Sequence, residues 1–352
     1  MRINRFLPIF LILNILLQAC SSNSTVQTEY QPGYFQVVFD PQPRLVISDA
    51  PGSTERNVIP LDPPTDCSFY TLRPAPKGRW LAIEWECSFG PAVELLDTSS
   101  GKTRFALANP SIDSRFLAWQ PDGSAIYLKI GTLSVPQTLR IDVESGQALE
   151  LPVSPFAYDL AVSPDTKKIL YSLTKGIGFG SETWLAGPDG QNPSQLLLEP
   201  ASIIALAQYS PDGSQLAYIK FPDNQVSAPT GELWLMNSDG SHQRRLASAD
   251  AGRGLAPTWD PNGDQIAFPA PGPENEPDLV NLTIIDLRTM KLTNIAPSGT
   301  QPAWSPDGKM ISFSSAAPIN ALGDTIYLDL FDFASGKITR LANGTCCAGW
   351  IR

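Results

Sequence analysis

His242 is the single histidine of this 352-residue chain, so any imidazole base has to be this one. It stands in Asp239-Gly240-Ser241-His242, which reads as a tight turn. A turn tip is a poor place for the held Ser-His-Asp relay of acyl transfer. No Gly-x-Ser-x-Gly occurs. Gly178-Phe179-Gly180-Ser181-Glu182 misses that spacing and has no strand-to-helix setting. P-loop, zincin and dinucleotide fingerprints are missing as well. Glu274, Glu276 and Asp278 place carboxylates close together. They alternate with Asn and Pro and match no EF-hand loop, so the stretch reads as a solvated acidic loop rather than a calcium site. The sequence therefore assigns no catalytic, cofactor-binding or metal-binding residue, and the reading is of a protein that is not an enzyme.

The cysteines carry other chemistry. Arg2 and Arg5 precede a nearly continuous apolar run over residues 6–17, broken by Pro8 and Asn14. Leu17-Gln18-Ala19-Cys20 then fits a bacterial lipoprotein cleavage box, with Cys20 as the new N-terminus and the lipidated residue. The apolar run is short for a bilayer core of ~30 Å. Residues 1–19 are thus read as a lipoprotein signal peptide. Residues 20–33, polar and aperiodic, are read as the anchor and its flexible tether. Cys67, Cys87, Cys346 and Cys347 remain, an even number in an exported chain, which suggests disulfides. Cys67 and Cys87 lie ten residues either side of Lys77, the tip of one hairpin, so this pairing comes first. It leaves Cys346 and Cys347, adjacent in sequence; pairing of either with Cys67 is the alternative.

The elements that hold these residues are written in a repeat. Trp304-Ser305-Pro306-Asp307-Gly308 recurs as Trp119-Gln120-Pro121-Asp122-Gly123, Val162-Ser163-Pro164-Asp165-Thr166, Tyr209-Ser210-Pro211-Asp212-Gly213 and Trp259-Asp260-Pro261-Asn262-Gly263. A worn copy is Pro74-Ala75-Pro76-Lys77-Gly78. Proline presets the first turn position, aspartate bonds back to the turn, and glycine accepts positive φ. Each tip precedes a short alternating strand such as Ile311-Ser312-Phe313. A further strand, a second turn such as Ser335-Gly336, and a last strand follow. The tip aspartates are turn formers, and the Trp or Tyr before each tip is a packing residue. Trp119 and Trp304 stand 185 residues apart across four repeats, a period of about 46, which is that of a four-stranded propeller blade. Residues 34–352 hold about seven such units. The N-terminal part supplies the second to fourth strands of one blade and Cys347-Ala348-Gly349-Trp350-Ile351 its first. The fold class is all-β, a seven-bladed β-propeller of four-stranded antiparallel blades closed by its two ends. The connections over 172–182, 221–231, 269–278 and 314–324 should emerge on one rim.

The turn-plus-strand pattern resembles the TolB-type propeller repeat, a relative of the WD repeat, across residues 34–352. That resemblance implies envelope assembly or scaffolding. With Arg2 and Arg5 removed the net charge becomes −12, which argues against nucleic acid and anionic membrane surfaces as direct targets. The sequence is read as a monomeric, lipid-anchored scaffold on the extracytoplasmic face of a bacterial membrane. Its partners would be an envelope protein, a peptide or a cell-wall component. The alternative is a propeller hydrolase or lyase acting on sugar or peptide in the axial channel.

Overall fold

The computed structural model describes residues 32–39, 42–107, 112–131, 136–224, 230–250, 255–272, 280–316, 326–343 and 345–351. Residues 1–31, with Cys20 and its tether, lie outside the described residues. So do Glu274, Glu276 and Asp278.

The chain forms seven four-stranded antiparallel sheets. Blade 1 joins Thr345–Ile351 to Gly33–Val38, Arg44–Ser48 and Glu55–Pro60. Blade 2 is Cys67–Pro74, Trp80–Cys87, Gly90–Asp97 and Lys102–Phe105, and blade 3 is Ser114–Trp119, Ala125–Ile130, Gln137–Asp142 and Ala148–Glu150. Blade 4 is Ala157–Val162, Ile169–Leu173, Ser181–Ala186 and Ser194–Glu199, and blade 5 is Ser202–Tyr209, Gln215–Pro222, Thr230–Asn237 and Arg244–Asp250. Blade 6 is Thr258–Trp259, Gln265–Pro271, Val280–Asp286 and Leu292–Pro297. Blade 7 is Gly299–Trp304, Met310–Ala316, Ile326–Asp332 and Lys337–Asn343. The two chain ends share blade 1, as their strand patterns suggest, with Gly33 opposite Ile351 and Tyr34 opposite Trp350. Pairing them leaves no open inner edge between last and first strands.

The hairpin tips form as their chemistry dictates. Gly123, Gly213, Gly263 and Gly308 donate to the carbonyl three residues back at 2.8–3.1 Å and all have positive φ. At three tips the serine hydroxyl bonds the aspartate two residues on: Ser163 to Asp165, Ser210 to Asp212 and Ser305 to Asp307. Blade 6 has Asp260 where those serines stand, and its Oδ1 accepts from the Asp264 and Gln265 amides instead.

A four-stranded sheet buries its faces only against its neighbours. The second strands supply most of that burial: Leu81-Ala82-Ile83, Ile126-Tyr127-Leu128, Leu216-Ala217-Tyr218 and Ile266-Ala267-Phe268 are all fully buried. The tip-flanking aromatics stitch blade to blade. Trp119 Nε1 donates to Arg73 O at 3.1 Å, Trp259 Nε1 to Gln208 O at 3.1 Å, and Trp304 Nε1 to Thr258 O at 3.3 Å. Trp350 packs edge-on against Tyr34 in the shared blade, with ring centroids 5.2 Å apart.

Candidate functional site

Antiparallel order fixes two faces. First strands run toward the Pro-Asp tips, and third strands run toward the Ser-Gly-type turns. This turn face therefore carries both sets of tight turns. The opposite, loop face carries the connections from second to third strand and from each fourth strand to the next blade. Gly33 starts at the turn face, because it pairs with Ile351 at the end of an inner strand.

The inner strands frame the axis, and nearly all of them carry a bulge that re-aims side chains. Register shifts occur at Phe69/Thr71, Phe116/Ala118, Ala157/Asp159, Ala205/Gln208 and Thr300/Ala303, and in blade 1 between Cys346 and Gly349, opposite Phe35/Val37. Leu206, Gln301 and Cys347 occupy these irregular positions with φ of 59, 52 and 55°. Extra unpaired residues of this kind turn backbone N–H groups out of the ladder. Asp159 uses one: Ala207 N donates to its Oδ2 at 3.1 Å across the blade 4–blade 5 boundary. Asp159 is half-buried. Burial pushes its carboxyl above the ordinary aspartate range, against backbone donors from Ala207, Leu206 and Leu160 that hold it down. Beside it, Tyr158 donates its hydroxyl to Ile204 O.

Asp159 is the single carboxylate in all seven inner strands. The basic residues there are Arg73 and Arg115. Arg73 Nε bonds Glu84 Oε1 at 2.6 Å, and its guanidinium lies 5.3 Å from the Phe116 ring centre in the next blade. Asp159 and Arg73 thus each reach a neighbouring blade, while Arg115 is exposed.

Blade 4 differs from the rest at its loop-face end. Residues 174–180 form a tied loop. Thr174 Oγ1 donates to Gly180 O at 2.7 Å and accepts from Gly176 N at 3.2 Å. Gly180 N donates to Asp223 Oδ2 of blade 5 at 2.6 Å. Only glycine fits at 180, since a Cβ there would sit 1.9 Å from Glu199 O at a φ of +70°. This loop holds Ile177 and Phe179 in solvent, 65% and 67% exposed.

Cys67 and Cys87 are directly opposite in blade 2 and form a disulfide. It ties the loop-face ends of the first and second strands. Cys347 is disulfide-bonded too; with Cys67 and Cys87 joined to each other, pairing of Cys67 across the ring closure does not occur. The side chain of Cys346 lies outside the described residues. His242 is exposed in the third-to-fourth-strand turn of blade 5, on the turn face. Its Nδ1 is 2.9 Å from both Asn237 Nδ2 and Ser241 Oγ, a local turn contact between neighbours. Among the described residues, no group of three His, Cys, Asp or Glu side chains could hold a metal ion. No helix among them is long and apolar enough to cross a membrane.

Fold and axial geometry define a closed seven-bladed propeller. Residues 180–343 match the family model described as the TolB beta propeller domain, so that part of the ring resembles TolB propellers. TolB from Acinetobacter baumannii superposes with a TM-score of 0.52 at 19% identity, covering 83% of this chain and 68% of that one. An oligogalacturonate lyase from Vibrio parahaemolyticus gives 0.58 at 14% identity, covering 89% and 85%. In sequence, 105 residues are 31% identical to dipeptidyl-peptidase 5 of Porphyromonas gingivalis. That segment is 29% of this chain and 15% of the peptidase. The fold thus occurs both in TolB proteins and in the propellers of enzymes, and the site has to decide between the two.

Proposed function

We propose that this chain is a lipid-anchored binding scaffold on the extracytoplasmic side of a bacterial membrane. It engages an envelope protein, a peptide or a cell-wall component through its loop face or axial channel, and leaves that partner chemically unchanged. The carrying observation is the chemistry of the inner strands. Asp159 is their one carboxylate, and its Oδ2 accepts the Ala207 amide. Glycoside hydrolysis commonly uses two carboxyl groups flanking the scissile bond. Proton abstraction needs a base placed at the substrate. An acid committed to fastening two blades suits neither task. Cys20 supports the anchor, through the basic start, apolar run and Leu17-Gln18-Ala19-Cys20 box before it. The likeness to TolB from Acinetobacter baumannii agrees with an extracytoplasmic site.

Metabolic labelling with palmitate tests the anchor. The wild-type chain should take up label and stay with membranes, and Cys20→Ser should lose both. Label-free, soluble wild-type protein would overturn it. The rival reading makes Asp159 a base acting in the channel. Oligogalacturonide or dipeptide substrates mixed with purified protein should stay intact; turnover lost in Asp159→Asn would establish the rival.

A further inference from the structure

Met290 stands where sister turns carry glycine. The third-to-fourth-strand turns of blades 2, 3 and 7 run from an aspartate to a glycine four residues on: Asp97 to Gly101, Asp142 to Gly146 and Asp332 to Gly336. Each aspartate accepts a backbone amide two or three residues ahead. The glycines have φ of 69, 73 and 66°. Blade 6 builds the same turn from Asp286, which takes the Arg288 and Thr289 amides. Its last residue is Met290, with φ of 57°. A left-handed backbone disfavours any residue with a Cβ, so the methionine is kept against a local cost. Its side chain is 41% exposed, whereas Met236 is 1% exposed and Met310 is half-buried.

The thioether faces a guanidinium that lacks a strong acceptor. Arg244, in the fourth strand of blade 5, donates Nη1 to Met290 Sδ at 3.2 Å. Arg244 is exposed and makes no ion pair among the described residues. A thioether sulfur is a weak acceptor. Register supplies a comparison within the molecule. Arg244 pairs with Leu235, and Leu235 with Ala217. In blade 2, Arg104 pairs with Leu95, and Leu95 with Ala82. Arg104 is thus the counterpart of Arg244, and it too meets the turn of the next blade, beside Gly146. There its Nη2 reaches a full oxygen acceptor, Val143 O. Between blades 5 and 6 the equivalent guanidinium meets sulfur instead. One oxygen atom on that sulfur supplies the acceptor that Arg104 already has.

We propose that Met290 is a site of reversible oxidation by hydrogen peroxide, and that Arg244 receives the sulfoxide oxygen, fastening blade 5 to blade 6 on the turn face. A sulfur lone pair attacks one peroxide oxygen. The S–O bond forms as the O–O bond breaks, and the proton on the transferred oxygen passes to the departing hydroxide, giving water. Sulfur loses two electrons and the peroxide gains them. Three rotatable side-chain bonds let the new oxygen swing to hydrogen-bond distance from the guanidinium. Sulfoxide reductases return the thioether, so the contact can be made and released. This holds whatever the ring binds.

The full chain treated with dilute hydrogen peroxide tests the proposal, read by peptide mass spectrometry and melting curves. One added oxygen should appear at Met290 before Met236 or Met310. Oxidation disorders most proteins, but here the melting temperature should rise by about 2 °C. Neither Met290→Leu nor Arg244→Ala should show that rise under the same treatment. Sulfoxide reductase should restore the original melt. An unoxidised Met290, a lowered or unchanged wild-type melt, or an equal rise in either variant would each overturn the proposal. So would a rise that persists once the oxygen is removed.

Discussion

At the scale of single residues, polar side chains in this ring act as fasteners. Asp165, Asp212 and Asp307 are held below the ordinary carboxylate range, first by the serine hydroxyl two residues before and then by a backbone amide. Asp159 goes the other way, because burial outweighs its backbone donors. The native state then holds the Asp159 proton more tightly than the unfolded chain does. Stability from this group falls as pH rises from the unfolded value through the raised native one. Asp159→Asn removes that titration. Its stability relative to wild type should therefore improve as pH rises above the ordinary aspartate value of about 3.9, read from denaturant melts at increasing pH. A relative loss over the same range would mean that the axis stabilises the charged carboxylate.

At the scale of elements, the hairpin was legible and its irregularities were not. The Ser-Pro-Asp-Gly tips, the strand triplets and the Cys67/Cys87 symmetry follow from local chemistry, and each is where the spacing puts it. Inner-strand bulges have no such local mark. Leu206 takes positive φ because of what surrounds it, not because of its own preference. Asp159 escaped notice for the same reason: Tyr158-Asp159-Leu160 reads as alternation, and only the neighbouring blade's bulge gives the carboxyl a partner. The blade 4 tip was visible as a Gly-rich connection, but its ties to Thr174 and Asp223 are three-dimensional. One tip departs from the repeat. Thr166 holds φ of 61° where its counterparts are glycine, a conformation costly for a β-branched residue. Thr166→Gly should stabilise the protein by about 1 kcal/mol, net of the extra freedom glycine has when unfolded. Unchanged or lower stability in chemical denaturation would count against strain at that tip.

At the scale of the whole molecule, stability is shared around a closed ring, and the closing strand pair carries weight beyond its length. Thr345–Ile351 pairs with Gly33–Val38 and packs against both blade 7 and blade 2. Removing residues 348–352 strips Trp350 from Tyr34 and opens the inner edge of blade 1. The melting temperature should drop sharply, and an unaltered melt would refute closure as a source of stability. Period and turn chemistry revealed this architecture because each unit repeats the same burial problem. Function left a thinner trace, since the same ring can hold a partner or a substrate.

The central claim is that the ring binds and does not transform. It is tested most directly by the mass spectrum of whatever co-purifies with the mature protein and with Asp159→Asn after incubation with envelope extract. The account predicts the same intact partner on both proteins, in equal proportion to the chain. Shortened products released by the wild type, with intact partner accumulating on Asp159→Asn, would contradict it.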